Sequence, residues 1–265
     1  MERHDTQGRA TGRWASLASL SFTTRAIERV MNRSGNLPGF LVVHARYGSG
    51  KSMALTYCQN KNEGFLLTCK SHFSKKAFCL ALLKEMDIKP ARTVSEMMDQ
   101  VGEELDKSGR PLLLDDVHRI TSSSVLGLIL DIHQSARTTI VMAGDERFPA
   151  LLRRHDEQLY SRVLVFQGIP PVSAEDARRL AAFYCVEREG RVIEVGDDLL
   201  GYFRKETKGN ARLICVNLDD VRAHCQRHGL RKIGLEDWQE HKRGVFTGDA
   251  PAPEGAAEPR LKAVS

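Results

Sequence analysis

Five short apolar segments recur along the first two thirds of the chain, and stretches with helical periodicity separate most of them. Their length suits strands, and their nearly continuous apolar character suits strands that are buried on both faces. Such an alternation is typical of a largely parallel sheet covered by helices. We therefore predict an α/β fold with a five-stranded parallel sheet flanked by helices. The five segments are FLVVH, GFLLTC, PLLLDD, TTIVMAG and RVLVF.

The pattern changes after the fifth segment, beyond which the chain has helical character. Ser173, followed three residues later by Asp176, resembles a capping box that starts a helix. Nearer the start of the chain, TTRAIERVM predicts a helix capped by Thr23 or Thr24. The prolines of VFQGIPP mark a domain boundary. The predicted organisation is a mobile arginine-rich segment at 1–20, an α/β domain at 21–170, a small helical domain at 171–246 and a disordered tail at 247–265.

The sequence ARYGSGKS, residues 45–52, stands between the first predicted strand and a predicted helix. In a phosphate-binding loop, glycines let backbone amides curl around phosphates, a lysine reaches the β- and γ-phosphates, and a hydroxyl binds Mg²⁺. Ala45 takes the place of the usual first glycine, as a hinge on the strand side. The alternative is a Gly-Ser-Gly turn that happens to precede a lysine. The predicted nucleotide-contacting residues of this loop are Ala45, Gly48, Ser49, Gly50, Lys51, Ser52 and Met53, with Ser52 also on the metal.

Two acidic residues end the third segment, in RPLLLDDVHR. Asp115 is placed to hold Mg²⁺ through water, and Asp116 to orient or deprotonate an attacking water. The two acids could instead cap the next helix, but that alternative leaves Lys51 and Ser52 without a purpose. Asp116 is one methylene shorter than the glutamate often found in this role, so we expect slow hydrolysis.

These motifs, with three looser ones, resemble those of the AAA+ ATPases. The looser motifs are IVMAGDERF, the arginine after EQLYS, and KGNARLI. More narrowly, the chain resembles the branch that holds the B protein of Mu-type transposing phages and the ATP-dependent target-selection subunits of related transposons. The likeness covers roughly residues 20–240 and implies a P-loop AAA+ fold in which the helical domain acts as a lid. It also implies ATP and Mg²⁺ as cofactors.

The resemblance implies roles for residues outside the phosphate loop. Asp145 stands near the sensor-1 position, where Asn or Thr is commoner, and Arg212 matches the sensor-2 arginine, through which the lid responds to the γ-phosphate. Arg162 matches the arginine finger that reaches the nucleotide of a neighbouring subunit, with Arg153 and Arg154 as competitors. The alternative for each arginine is an ordinary solvent-facing side chain.

Hydrolysis that depends on a finger in trans depends on assembly, because such an arginine contributes roughly 10³ to 10⁵ in rate. The predicted catalytic residues are therefore Lys51, Asp116 and Arg162, acting in a homo-oligomer. A head-to-tail interface gives a ring if it closes and a helical filament if it does not. The family's ATP-dependent filaments on DNA favour the filament. Thr24 and Arg25 resemble the family's N-terminal nucleotide-facing segment.

A basic stretch, TCKSHFSKKAF, follows the second predicted strand. In the resembling proteins this region faces double-stranded DNA, and Lys70, Lys75 and Lys76 suit phosphate contacts that do not depend on base sequence. His72 lies among them, and a solvated helix face is the alternative. Arg119 and the run Thr121–Ser124 could add phosphate contacts, although Thr121 or Ser122 could simply cap the following helix.

Composition adds weaker constraints. There are 39 Lys and Arg against 34 Asp and Glu, a net charge of +5 that permits an anionic partner without requiring one. The six cysteines form no CxxC pair, and no secretory signal or membrane-spanning run is recognisable, so we expect a reduced, cytoplasmic location. The resemblance to phage and transposon proteins implies a bacterial host. His224, Cys225 and His228 lack a second ligand pair, so we predict no zinc site.

Three classes of function remain open. The leading prediction is an ATPase that assembles on target DNA and recruits and stimulates a transposase, with hydrolysis releasing the assembly. A second is the AAA+ ATPase of a secretion or export assembly, and a third is a helicase loader or replication initiator. A metabolic kinase comes last, because nothing between the acidic strand and GNAR resembles a small-substrate pocket.

Overall fold

The computed structural model describes residues 17–121, 124–186 and 192–244. Most of the predicted mobile N-terminus, Ser122 and the predicted tail at 247–265 lie outside the described residues. In chain order the elements are α1 (Ala18–Met31), β1 (Phe40–His44), α2 (Lys51–Asn62), β2 (Phe65–Thr68), α3 (Lys75–Glu85), α4 (Val94–Ser108), β3 (Leu112–Asp115), a 3-10 turn (Val117–Arg119), α5 (Val125–Ala136), β4 (Ile140–Gly144), α6 (Phe148–His155), α7 (Glu157–Ser161), β5 (Val163–Gly168), α8 (Ala174–Tyr184), β6 (Glu194–Val195), α9 (Asp197–Glu206), α10 (Ala211–His228), β7 (Lys232–Ile233) and α11 (Leu235–Gly244).

The five predicted strands form one parallel sheet in the order β2-β3-β4-β1-β5, which confirms the predicted fold class. In the register, Phe40 lies opposite Ile140, and His44 lies opposite Gly144. The carboxyl ends of all five strands therefore lie at one edge of the sheet, which we call the carboxyl edge. The residues that follow β1, β3 and β4 are neighbours there, although they are far apart in sequence.

Side chains alternate between the two faces of the sheet, as strand geometry requires. Phe40 and Val42 pack into a core with helices α3, α4 and α5, whereas Leu41 and Val43 pack with α1 and α2 on the other face. All four are fully buried. Burial on both faces explains why the strands are almost continuously apolar in sequence.

The C-terminal part has its own core, built on α8, α9, α10 and α11. Phe203 and Trp238 meet edge to face in it, with ring centroids 5.5 Å apart. The expectation of helices alone was wrong, because β6 and β7 pair as a two-stranded parallel sheet. Strands of two residues are too short to produce a period-2 pattern, so the sequence gives no signal for them.

Helix α1 links the two parts of the molecule. It begins at Ala18, so the prediction that Thr23 or Thr24 caps it was wrong, and Thr23 is buried in its interior. Leu17 packs into the C-terminal core, and the Ala18 backbone amide donates to Asp176 Oδ1 at 3.0 Å. The predicted capping box of α8 is thus half formed. Ser173 Oγ accepts from the Asp176 amide, but the Asp176 carboxylate accepts from the first residue of α1 and not from the Ser173 amide.

A candidate nucleotide-binding site at the carboxyl edge

The loop between β1 and α2 has the backbone shape that its glycines allow. Gly48 has φ of 75°, and Gly50, which precedes the first turn of α2, has φ of 92°. Both values lie in the left-handed region, which costs a residue with a side chain about 1–2 kcal/mol. The loop therefore delivers the N-terminus of a twelve-residue helix to the carboxyl edge. Such an N-terminus offers unpaired amides to an anion.

Lys51 is held inside this loop, with only 7% of its surface exposed. Its Nζ donates to the carbonyl oxygens of Ala45 at 2.8 Å and Arg46 at 2.9 Å. Burial lowers the pKa of Lys51, while the carboxylates of three aspartates at the same edge oppose that shift. An ammonium group with carbonyl partners and nearby acids is positioned to meet terminal phosphates. The three aspartates are Asp115, Asp116 and Asp145.

Other loop residues differ in exposure. Ser49 Oγ is buried and, among the described residues, has no hydrogen-bond partner. Ser52 and Met53 are exposed in the first turn of α2, and Tyr47 is also exposed. A hydroxyl that is accessible beside a helix N-terminus suits the predicted metal contact of Ser52. The unpaired Ser49 hydroxyl gives the loop one further polar group for a phosphate oxygen.

The two acids after β3 have different environments. Asp115 is 5% exposed, and its Oδ1 accepts from the Asp116 backbone amide at 2.9 Å. Asp116 has φ of 55°, and its Oδ2 is 3.3 Å from Nε of Arg119. Asp115 therefore stays at the end of the strand beside the phosphate loop, whereas Asp116 turns toward the 3-10 turn and retains a partly exposed carboxylate. These different environments are compatible with the predicted roles, in which Asp115 holds the metal and Asp116 orients the attacking water.

Asp145 lies at the end of β4, between the strands that carry the phosphate loop and Asp115. It is buried, and its Oδ1 accepts from the Arg147 backbone amide at 3.0 Å, so part of its function is to hold the turn into α6. Its charge raises the pKa of Lys51. Its role as a sensor of the γ-phosphate stays a prediction.

The C-terminal helices reach the phosphate loop through the start of α10. Asn210 caps this helix by accepting from the Leu213 amide, and its Nδ2 donates to the Tyr47 carbonyl at 2.7 Å. The Arg212 amide donates to the Gly48 carbonyl at 2.9 Å, and the positive charge of Arg212 lowers the pKa of Lys51. Asn210 was missed as a site residue, although the GNAR motif contains it.

Arg162 lies at the other end of the sheet. It directly precedes β5, whose first residue pairs with Phe40, the first residue of β1. The length of β1 separates it from the phosphate loop of its own chain by about 15 Å. Arg153 and Arg154 are exposed near the end of α6. The fold therefore does not bring Arg162 to the phosphate loop of its own chain, in contrast to Arg212.

Thr24 and Arg25 lie beside the second half of α2 rather than beside the phosphate loop. They line an open cavity of about 330 Å³ with Tyr57 and Lys61, and Thr24 Oγ1 is 3.6 Å from Cys58 Sγ. The residue of α1 that does approach the loop is Ser19, whose Oγ would lie 3.7 Å from a Cβ placed on Gly50. Ser19 was not predicted as a site residue, because the predicted helix began at Thr23 or Thr24 and left Ser19 outside it.

The lysine cluster lies beyond β2, at the edge of the sheet. Lys70 follows the strand, and Lys75 and Lys76 are the first two residues of α3, after the capping residue Ser74. All three lysines are exposed, and within the described parts of the chain none of them forms an ion pair. Arg119, in contrast, is paired with Asp116, and Thr121 is buried with its hydroxyl donating to the His118 carbonyl.

The fold and site define a P-loop protein with the AAA+ fold: a parallel sheet in the order β2-β3-β4-β1-β5, a phosphate loop after β1, an acidic pair after β3 and a helical lid. Residues 35–152 match the family described as AAA domain. No curated protein sequence matches the chain. In the described ranges, every helix is too short or too polar to cross a membrane.

Solved structures share this fold. Cdc6p from Pyrobaculum aerophilum is 17% identical, with a TM-score of 0.59 over 87% of this chain and 67% of that chain. The Aeropyrum pernix ORC2 protein, in ADPNP-ADP complexes, is 10% identical, with a TM-score of 0.62 over 84% of this chain and 66% of that chain. Domain III of the Thermotoga maritima replication initiation protein DnaA is 18% identical, with a TM-score of 0.55 over 88% of this chain and 95% of that chain. The narrower resemblance to transposition ATPases stays a prediction.

Proposed function

We propose that this protein is a Mg²⁺-dependent ATPase that assembles on DNA. The observation that carries the proposal is the meeting of Lys51, Asp115 and Asp116 at one edge of the sheet, beside the N-terminus of α2. Lys51 would bind the terminal phosphates, Ser52 and Asp115 would hold the metal, and Asp116 would orient the attacking water. Bound Mg²⁺ would neutralise charge that develops on the phosphates during transfer.

The position of Arg162 supports the proposed assembly. An arginine at the amino end of β5 is remote from its own phosphate loop, so its use as a finger requires the site of a second copy. Arg212 is in contact range of its own loop through the start of α10 and suits the role of sensor within one subunit. Because the two surfaces that meet would be different, the assembly would be a head-to-tail filament or ring.

DNA is the proposed anionic partner because of the charges at the start of α3. Two lysines in a first helical turn oppose the helix dipole, and within the described residues no acidic side chain compensates them. A phosphate placed there would interact favourably with both the lysines and the unpaired amides of α3. Lys70 extends the same surface. Contacts of this kind address the DNA backbone, so binding would be largely independent of base sequence and strongly dependent on salt.

Within this class, we propose target selection for a transposase as the specific role, with hydrolysis promoting disassembly. The support is the combined motif resemblance of the phosphate loop, the acidic pair, the arginine before β5 and GNAR. A second candidate, a helicase loader or replication initiator, is favoured by the fold similarity to domain III of the replication initiation protein DnaA, of which 95% is covered. Stimulation of DNA strand transfer by a purified transposase would separate the two.

The first experiment measures binding of the full chain to long duplex DNA with ATP, with ADP and without nucleotide, over a series of salt concentrations. We expect binding only with ATP, and loss of binding in Lys51→Ala. The double variant Lys75→Ala/Lys76→Ala should bind more weakly on every sequence, with a salt dependence reduced by about one counterion per lost phosphate contact.

The matched control is Lys84→Ala/Lys107→Ala, which removes two exposed lysines from the last turns of α3 and α4. It changes net charge equally but leaves the start of α3 intact, so DNA binding should be nearly that of the wild type. Equal losses in both double variants would mean that overall charge, and not this surface, attracts DNA. ATP hydrolysis without any DNA binding would instead favour the ATPase of a secretion or export assembly.

A further inference from the structure

The phosphate loop contacts the acidic turn, by which we mean Asp115, Asp116 and the 3-10 turn that follows them. None of the roles proposed above involves this contact. The hydroxyl of Tyr47, in the phosphate loop, is 3.1 Å from Nε2 of His118, in the 3-10 turn. The two rings also meet edge to face, with centroids 5.9 Å apart. Tyr47 and His118 are 71 residues apart in sequence, so the fold alone creates this contact.

The other ring nitrogen of His118 faces Asp116. Its Nδ1 is 4.0 Å from Asp116 Oδ1, and this nitrogen is buried without a hydrogen-bond partner among the described residues. The His118 side chain is 10% exposed, so water does not readily replace the missing partner. If the Tyr47 hydroxyl donates to Nε2, the ring proton lies on Nδ1 and points toward the carboxylate. A displacement of about 1 Å would then complete a hydrogen bond.

The backbone of Asp116 is in the left-handed region, with φ of 55°. Its two oxygens have different neighbours, since Oδ2 pairs with Arg119 and Oδ1 faces His118. The Arg119 side chain is 49% exposed and can be drawn away by an anion, whereas His118 is fixed by the phosphate loop. The oxygen with the more rigid neighbour is therefore Oδ1.

We propose that His118 is a positioning residue that connects the phosphate loop, through Tyr47, to the carboxylate of Asp116. The inference rests on the proposed ATPase function of this site. In this arrangement a shift of the loop when nucleotide binds moves Tyr47 and His118 together, and the Nδ1 proton fixes the orientation of Asp116 toward the attacking water. His118 itself does not contact nucleotide.

The test compares ATP turnover and ATP affinity for the full-length wild type and His118→Phe, which keeps a ring and loses both nitrogens. We expect turnover at saturating ATP to fall about tenfold while the dissociation constant of ATP changes less than about twofold. Tyr47→Phe should lower turnover by about threefold, and should have no further effect in the His118→Phe variant.

Two further variants distinguish positioning from simple packing. His118→Asn keeps an amide donor near the place of Nδ1 and should recover a large part of the turnover that His118→Phe loses. The double variant Asp116→Asn/His118→Phe should have the turnover of Asp116→Asn alone, because His118 acts through that carboxylate. His155→Gln, a change at an exposed histidine at the end of α6, is the control and should keep wild-type turnover.

The inference would be overturned if the effects of His118→Phe and Asp116→Asn multiplied, or if ATP affinity fell as much as turnover. A wild type that hydrolyses ATP and a His118→Phe variant that matches it would also overturn the inference, while leaving the proposed function in place. A wild type without any ATP turnover, with or without DNA, would overturn the proposed function and this inference with it.

Discussion

At the scale of single residues, the phosphate loop is fixed by backbone conformation as much as by its lysine. Gly48 has φ of 75°, and a Cβ at this position would collide with the side chain of Asn210. The same carbonyl-rich loop holds Lys51 Nζ and receives hydrogen bonds from Asn210 and the Arg212 amide. One glycine thus permits both the curl of the loop and the close approach of α10.

Gly48→Ala is therefore expected to weaken ATP binding by at least about tenfold, because the left-handed backbone and the contact with Asn210 both oppose a methyl group. Titration calorimetry or a fluorescent nucleotide would measure the affinity. Gly127→Ala is the control, since Gly127 is exposed in α5 with open space around it, and this change should leave ATP affinity unaltered. Unchanged affinity in Gly48→Ala would argue that the nucleotide binds elsewhere.

At the scale of elements, two half-buried basic residues, Arg33 and His133, connect the segments at the amino edge of the sheet, where the five strands begin. Arg33, just beyond α1, donates hydrogen bonds to the end of α1, to the turn before β1 and to the segment before β4. His133, in the last turn of α5, stacks on Phe40 with ring centroids 4.5 Å apart. Burial, and then the charges of Arg33 and Arg162, lower the pKa of His133 to about 4.

A depressed histidine pKa makes stability depend on pH in a definite direction. The folded state does not take up the proton that the unfolded chain binds near pH 6.5, so the free energy of unfolding should fall as pH decreases from 6.5 to about 4. Urea denaturation midpoints across this range would measure the effect. His133→Leu removes no hydrogen bond within the described residues and should flatten the dependence, whereas His155→Gln should not. Parallel curves for wild type and His133→Leu would contradict the assignment.

At the scale of the whole molecule, the sheet separates two functional ends. The phosphate loop, Asp115 and Asp145 lie at the carboxyl edge, and Arg162 lies at the amino edge. In the proposed assembly, a complete site would need two copies, one that supplies the phosphate loop and one that supplies Arg162. Among the described residues, no segment brings Arg162 close to the phosphate loop of the same chain.

Mixing two inactive variants tests this arrangement. Asp116→Asn and Arg162→Ala should each hydrolyse ATP slowly, but an equimolar mixture should recover about one quarter of wild-type turnover, because one interface in four would join two intact halves. The measurement is steady-state ATP hydrolysis with DNA present. Arg153→Ala and Arg154→Ala, mixed in the same way, would identify the finger if Arg162→Ala retains activity. A mixture no faster than the average of its components would exclude a shared site for Arg162.

The parts of the fold that the sequence predicts are those with a local pattern. The five strands and their parallel arrangement follow from short apolar runs with helices between them, and the predicted phosphate loop follows from ARYGSGKS in a strand-loop-helix context. The start of α1 and the strands β6 and β7 were missed because neither has a local pattern. Leu17 is buried by a remote core, and a two-residue strand has no period.

Local pattern records which residues are buried, because burial repeats with the period of the helix or strand. Tertiary structure alone decided which distant segments meet: Tyr47 with His118, Ala18 with Asp176, and Asn210 with the phosphate loop. These contacts join residues 71, 158 and 163 positions apart, and no periodicity in the sequence records them. The sequence therefore determined the sheet and its loop, and packing determined how the helical lid and the acidic turn are connected to it.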